Sequence, residues 1–381
     1  MKKVKKICFF SAHYLPEKGG VEKYTYNLAS KLSSRGYEIT VAALNVKKEK
    51  CIEKTPQASI YRFPCFNLLN GRYPIMKIGR QSGKIKKELK KQKFDFIIIN
   101  TRFYLHSLFG TRFAKKNKIP CIVIEHGSSH LTVNNYFLDR LGALFEHFIT
   151  FLLCKYCKDF YAVSKSAGDW SGHFGIKSKG ELYNAVNFTE LTELINNPVC
   201  DYRSEYGISK QDTLVVFTGR LVKEKGIYQL VSAVEKVDSD RIKLIVAGDG
   251  PEYEKLLSKN YKNTFFTGEV DSEHIASLLY AADIFCLPSE SEGMPTSVLE
   301  AAAAKCYIIA TDCGSIREIL GENAKSLLKD NSEESIISAI KETDKNSEEY
   351  LQTVNKVYKR VSDNFTFEKT ADALERIFDC L

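Results

Sequence analysis

The chain has 381 residues, 44% hydrophobic and 12% aromatic, and its 55 Lys and Arg against 47 Asp and Glu give a formal charge of +8. That apolar content excludes wholesale disorder, and the nearest approach to the ~18 uninterrupted apolar residues of a spanning helix, Leu141–Leu153, is broken by Glu146 and His147. The charge is uneven: residues 1–190 carry 33 basic and 14 acidic side chains, net +19, whereas residues 191–381 carry 22 and 33, net −11. This asymmetry, in a chain long enough for two domains, predicts one domain that meets a polyanion or an anionic surface.

In chain order, the basic opening segment leads into Ile7–Ala12, a run shorter than a secretory h-region that meets His13 and Pro16. It predicts a first strand rather than a signal peptide. The strands of the first half are predicted at Val4–Phe10, the first, and at Glu38–Leu44, Phe94–Asn100, Cys121–Glu125 and Phe160–Ser164. Several are apolar on both faces, as Phe96-Ile-Ile-Ile is, which fits a parallel sheet covered by helices. Val21, Tyr24, Leu28 and Leu32 mark a helix over 21–34, with Gly36 just past its end. Lys84–Lys93 is an amphipathic basic helix with Ile85 and Leu89 facing inward.

The second half repeats the grammar, with strands at Leu214–Thr218, Lys243–Ala247, Thr264–Thr267, Ile284–Leu287 and Tyr307–Ala310 and helices such as Tyr253–Leu257 and Ser272–Ala282. Alternating β and α in both halves predicts two doubly wound α/β domains, 1–190 and 191–381, joined within 187–212. The acidic helical tail 332–381 is expected to complete the second half. Eleven scattered cysteines, several inside apolar runs (Cys8, Cys121, Cys286, Cys306), suit buried thiols in a reducing cytoplasm. Cys154-Lys-Tyr-Cys157 lacks the second ligand pair of a zinc site and is expected to be packing thiols in a helix.

Three constellations could carry chemistry. Gly19-Gly20-Val21-Glu22 opens the first helix, where glycines admit a ligand and free N–H groups attract an anion; a plain βα turn explains it as well. Gly219-Arg220-Leu-Val-Lys-Glu-Lys225-Gly226 follows a strand, at the edge where open α/β sheets bind ligands. Arg220 and Lys225 could hold one anionic group there, or be solvated loop cations. Pro288 to Ala303 places Glu292, Gly293 and Pro295 before a helix that carries Glu300. The two acids, at most roughly 12 Å apart along a helix, are too distant for a dyad on one bond. They suit the two ends of a ligand whose phosphates lie between, and loop and helix-face charges remain the plainer alternative.

Glu292-x7-Glu300, with Gly293 and Pro295 between, resembles the motif of the retaining GT-B glycosyltransferases of family 4. Other blocks resemble that family in the same order: Gly19-Gly20-Val21-Glu22, Glu125-His126-Gly127, Val163-Ser164, Asn184-Ala-Val-Asn187, Gly219-Arg220 to Lys225-Gly226, Ala247-Gly248-Asp249-Gly250-Pro251, Gly268-Glu269-Val270 and Thr311 to Glu318. The resemblance spans roughly residues 5–325. It implies two Rossmann-like domains facing each other across a cleft, a C-terminal helix packed back on the N-terminal domain, an acceptor site mostly in the first domain and a nucleotide-sugar donor site mostly in the second. It further implies that Arg220 and Lys225 hold the donor diphosphate, Glu300 the ribose hydroxyls and Glu292 the donor sugar. Backbone groups near Met294, Ser297 and Val298, with Gly248 and Gly293, would meet phosphates or sugar. Val270 would lie near the base, Gly20 would approach the diphosphate, and His126 would face the sugar. Asn184-Ala-Val-Asn187 and Gly314-Ser315-Ile-Arg317-Glu318 depart from the family's wording, so no role is carried to Asn187, Ser315 or Arg317.

The implied reaction is hexosyl transfer from a nucleotide-diphosphate sugar, such as a UDP-sugar, to a hydroxyl of a glycan or lipid-linked acceptor in surface polysaccharide or lipopolysaccharide synthesis. A nucleotide-sugar 2-epimerase on the same architecture and a non-catalytic sugar-nucleotide binding module are the alternatives. No cofactor and no metal are expected, since Asp238-Ser-Asp240 precedes a strand and is read as a surface turn. Lys47–Lys50, the segment 67–80, Lys84–Lys93 and Lys115–Lys118 make the first half polybasic with interspersed apolar groups, which suits an anionic membrane surface. The expected location is cytoplasmic, at the inner face of the membrane. No nucleic-acid-binding motif accompanies the charge.

Overall fold

The computed structural model describes residues 5–17, 19–130, 135–322 and 324–380; Val4, expected to open the first strand, lies outside them. The chain divides into two compact units, 1–184 with 367–381, and 185–366.

The first unit contains β1 (Lys6–Phe10), α1 (Gly20–Ser34), β2 (Glu38–Leu44), β3 (Ile52–Lys54), β4 (Ser59–Phe63), β5 (Cys65–Leu68), β6 (Tyr73–Met76), α2 (Arg80–Lys91), β7 (Phe96–Asn100), α3 (Leu105–Asn117), β8 (Cys121–Glu125), α4 (Tyr136–Leu153), β9 (Phe160–Ala162) and α5 (Lys165–Gly172). Seven strands form one sheet in the order β3-β4-β2-β1-β7-β8-β9, parallel except for the edge pair β3–β4. Every residue of β7 is buried. Each of its three isoleucines contributes ~1.5–3 kcal/mol by leaving water, which is why that stretch can only be a central strand. α2 buries Ile85 and Leu89 as its spacing predicts. The antiparallel hairpin β5–β6 was not predicted; its strands have four residues each, and Pro74 interrupts any alternation.

The second unit contains α6 (Phe188–Asn196), α7 (Tyr202–Glu205), β10 (Thr213–Thr218), α8 (Ile227–Lys236), β11 (Ile242–Ala247), α9 (Tyr253–Leu257), β12 (Thr264–Gly268), α10 (Ser272–Ala281), β13 (Ile284–Leu287), α11 (Thr296–Ala303), β14 (Tyr307–Thr311), α12 (Ile316–Leu320), β15 (Leu327–Leu328), α13 (Glu333–Glu342) and α14 (Glu348–Asn364). Its six strands are parallel in the order β12-β11-β10-β13-β14-β15. The order reverses direction between β10 and β13, which makes a topological switch point there.

The last helix, α15 (Phe367–Asp379), belongs to the first unit. Phe367, Ala371, Leu374 and Phe378 are buried along it. Arg35 meets Asp372 at 2.8 Å and Glu375 at 2.7 Å. Half-exposed ion pairs are worth ~0–1 kcal/mol each, so the apolar seam holds the helix and the charges set its register.

The expected boundary at 190 therefore moves to Asn184/Ala185, and the tail 332–381 does not all complete the second half. The run Phe160–Ser164 ends as a strand at Ala162, because the Ser164 side chain caps α5 by accepting from the Ala167 N–H at 3.0 Å. Cys154 ends α4 and Cys157 is buried in the turn beyond it, so the pair straddles the helix end. Counted over the observed units, the first holds 35 basic and 17 acidic residues, net +18, and the second 20 and 30, net −10.

Candidate active site

In the second unit the loops that leave β10 and β13 meet at the switch point. Backbone bonds stitch the neighbouring strand ends together: Leu221 N–H to Asp249 O at 2.9 Å, Gly248 N–H to Gly268 O at 2.8 Å, and Glu290 N–H to Glu224 O at 2.9 Å. Two glycines make this packing possible. Gly226 has φ +68°, and a Cβ there would stand 2.1 Å from Pro288 O. Gly314 has φ +55°, and its Cβ would stand 1.7 Å from Glu292 O. No other residue tolerates both the left-handed backbone and the approach.

This frame brings Lys225 to Glu292, with Nζ 2.5 Å from Oε1. The Glu292 side chain is 8% exposed and that of Lys225 is 27% exposed. Arg220 lies on the same loop, exposed and without an ion pair among the described residues. Cys313 is close enough to feel Glu292; burial, then that carboxylate, pushes its thiol up to about 11, so it stays protonated.

α11 starts at Thr296 after Pro295. The N–H groups of Val298 and Leu299 both donate to Pro295 O, at 3.2 and 3.3 Å. The Val298 amide, one of those expected to meet a ligand, is engaged here by the helix's own first turn. The Ser297 N–H has no acceptor among the described residues and remains the donor there. Met294 is buried, Gly293 is half-buried, and Glu300 is half-buried in the second turn. Val270 is half-buried just past β12, before Asp271 caps α10. Asp238 and Asp240 are exposed in the turn before β11, and Asp240 pairs with Lys262 at 2.6 Å. An open cavity of ≈660 Å³ in this unit, lined by Tyr307, Leu328, Ser335 and Tyr350, includes none of the motif residues.

In the first unit, Gly20 is the exposed first residue of α1, with open space where a Cβ would be. His126 follows β8. Asn100 donates to Thr25 Oγ1 at 2.7 Å, which turns its Oδ1 toward His126 Nε2 at 3.1 Å. That network assigns the proton to Nε2 and the lone pair to Nδ1. The Tyr24 ring stands edge-on at 4.9 Å. Burial pushes the His126 pKa down to about 3, so the imidazole is neutral near pH 7.

Beneath this loop lies a buried ionic chain that the motifs did not reveal. Arg102, 1% exposed, has Nε 2.8 Å from Glu125 Oε2 and Nη1 3.6 Å from Glu146 Oε2. Glu125 Oε1 accepts from the N–H groups of His126 at 3.0 Å and Gly127 at 2.9 Å. Burial raises the Glu125 carboxyl and Arg102 opposes it. A signal existed in the sequence: Asn100-Thr-Arg102 puts polar groups at the carboxyl end of an all-apolar strand. His13, read as either a ligand neighbour or a loop residue, pairs with Glu17 at 2.8 Å.

A lysine–glutamate pair, an exposed arginine and a helix start thus lie on the loops at the switch point, the edge where open α/β sheets take ligands. The match to known families narrows this to glycosyl transfer. The family described as glycosyl transferases group 1 matches residues 200–360, and glycosyltransferase family 4 matches residues 18–187. The chain belongs to the family 4 glycosyltransferases. An uncharacterized glycosyltransferase of Methanocaldococcus jannaschii is 28% identical over the whole of both chains. The alpha-monoglucosyldiacylglycerol synthase of Acholeplasma laidlawii is 27% identical over 80% of this chain and 79% of its own. Among solved structures, Anabaena HepE in complex with UDP and glucose superposes with a TM-score of 0.74 at 15% identity, covering 99% of this chain and 100% of that one. The fold is the GT-B fold, with two parallel-sheet Rossmann-like domains.

Proposed function

We propose that this glycosyltransferase moves a hexose, with retention of configuration, from a nucleotide-diphosphate sugar to a hydroxyl of a glycan or lipid-linked acceptor in surface glycan synthesis. The observation that carries this is the Lys225–Glu292 pair at the switch point, with Arg220 free beside it. Arg220 and Lys225 take the diphosphate, and the Ser297 amide adds a neutral donor. Their charge stabilises the leaving group as it forms. Glu292, partly released from Lys225, binds the sugar, and Glu300 the ribose hydroxyls. The bond from the anomeric carbon to the phosphate oxygen breaks. The acceptor oxygen bonds to that carbon on the same face, and its proton passes to the departing phosphate oxygen. No step calls on a metal ion. Within the first unit, Gly20 leaves open space at the start of α1, and His126, neutral with its lone pair on Nδ1, can accept a hydrogen bond from a ligand hydroxyl. A UDP-sugar is the first donor to test, because the Anabaena neighbour is in complex with UDP and glucose.

The acceptor side is proposed to work at an anionic membrane. No described helix is long and apolar enough to cross one. α4, however, exposes Phe137 by 77%, Leu141 by 63% and Phe148 by 57% on one face. Hairpin β5–β6 adds exposed Phe66 and Leu68, and Tyr73 of β6 touches Phe145 of α4 at 5.7 Å between ring centroids. A contiguous apolar patch on a unit of net +18 fits insertion among acidic headgroups.

The deciding experiment supplies UDP-, GDP- and ADP-hexoses to the enzyme with a polyprenyl- or diacylglycerol-linked acceptor, and reads the anomeric configuration of the product by NMR. A product with the donor's configuration is expected. An inverted product, or epimerised free donor without transfer, overturns the reading.

A further inference from the structure

Three imidazoles from separate segments of the first unit converge. His130 lies four residues beyond His126, His147 is on α4, and His173 ends α5. One ring nitrogen from each lies within 4.8 Å of the other two. His147 Nε2 and His173 Nε2 are 3.2 Å apart. Nitrogens on a tetrahedral ion with bonds of ~2.0–2.1 Å lie about 3.3 Å from one another, so this spacing already approaches that of two ligands on one ion.

The surroundings hold the rings in place. His173 stacks on Trp170 at 4.9 Å with 5° between planes. His130 Nδ1 bonds to Glu146 Oε2 at 2.9 Å. A carboxylate on one imidazole nitrogen fixes the tautomer that leaves the other as a lone pair and makes it more basic, the usual outer arrangement of a ligating histidine. His147 and His173 are exposed and His130 is half-buried, so an ion has access.

We propose that His130, His147 and His173 form a site for a divalent transition-metal ion, zinc foremost. Three neutral nitrogen donors suit zinc, nickel and copper, whereas magnesium and calcium require oxygen ligands that this cluster does not converge. The site lies in the first unit and does not depend on the proposed reaction. Its role is to pin three segments. Through Glu146 and Arg102 the ligand set reaches Glu125, which holds the His126 and Gly127 amides. A bound ion therefore stiffens the loop on which His126 sits.

The test titrates the metal-stripped full-length protein with Co2+ and Zn2+ and compares it with a His147→Ala/His173→Gln variant; both positions are exposed, and Gln keeps a planar group over Trp170. Because eleven thiols could also take up metal, the difference between the two proteins is the readout. Wild type is expected to bind one more ion per chain than the variant. Its Co2+ spectrum should show visible ligand-field bands for that ion without thiolate charge transfer. Zn2+, and not Mg2+, should raise the melting temperature, and the variant should lose that rise. Equal stoichiometry and affinity in both proteins, only thiolate-type cobalt spectra, or an equal shift with Mg2+ overturns the site.

Discussion

Lys225 Nζ and Glu292 Oε1 are 2.5 Å apart, joined across two loops that leave adjacent strands of one sheet. On the proposed reaction, an arriving diphosphate competes for the ammonium, and the freed carboxylate takes a sugar hydroxyl. Lys225→Ala and Glu292→Ala should each lower kcat/KM by about 100-fold or more, the usual cost of removing a donor aimed at developing charge. Steady-state kinetics on the identified donor checks this. Turnover near wild type in either variant contradicts the assignment.

The proposed role of Glu300 is ground-state recognition of the ribose. Glu300→Ala should raise the donor KM about tenfold and leave kcat nearly unchanged, the pattern for an interaction equal in ground and transition states. Calorimetric donor affinity provides the independent check.

Gly314 packs on the Glu292 carbonyl where no Cβ fits. Gly314→Ala must shift the loop bearing Glu292 and hold a strained left-handed residue, at about 1–3 kcal/mol. A lower melting temperature is expected together with lost activity, while Gly321→Ala, with nothing within 4 Å of its Cβ, should cost backbone strain alone and spare turnover.

Two histidines, one buried and one half-buried, set an acid limit on stability. Burial pushes His126 down to about 3 and His106 down to about 4, from an ordinary 6.5. As pH falls through 6.5 the unfolded chain takes up protons that the folded chain does not, so stability declines with falling pH until those folded values are reached. His126→Gln should reduce the proton uptake on unfolding at pH 5 by about one, read from the pH dependence of stability in urea.

The apolar face of α4 gives a separate prediction. Phe137→Asp with Leu141→Asp should abolish flotation with anionic vesicles and leave soluble donor affinity intact. Equal recovery of wild type with neutral and anionic vesicles at low salt would remove the membrane role.

The sheets were legible because their strands are apolar on both faces and alternate with helical periodicity. Phe96–Ile99 could be read no other way, and the order of glycine, lysine and glutamate blocks pointed to the switch-point loops. The segment 45–80 was not legible, because β3, β5 and β6 are too short to show a period. The pairing of Arg102 with Glu125 and Glu146, and the convergence of the three histidines, could not be read for another reason. Their members lie on different elements, and only the parallel order β7-β8-β9, with the helices it positions, makes them neighbours. Spacing motifs single out residues carried by one continuous segment, as Glu292 and Glu300 are, and not clusters assembled from several.

The return of α15 to the first unit has a consequence for biosynthesis. The chain leaves that unit after Asn184 and re-enters it at Phe367, so the ribosome completes all of the second unit before the first receives its last helix. Until then α1 lacks the partner that buries Phe367, Leu374 and Phe378. The half made first must wait to mature, and the half made later can finish before it. A nonsense codon near residue 366 would thus damage the domain encoded at the opposite end of the gene.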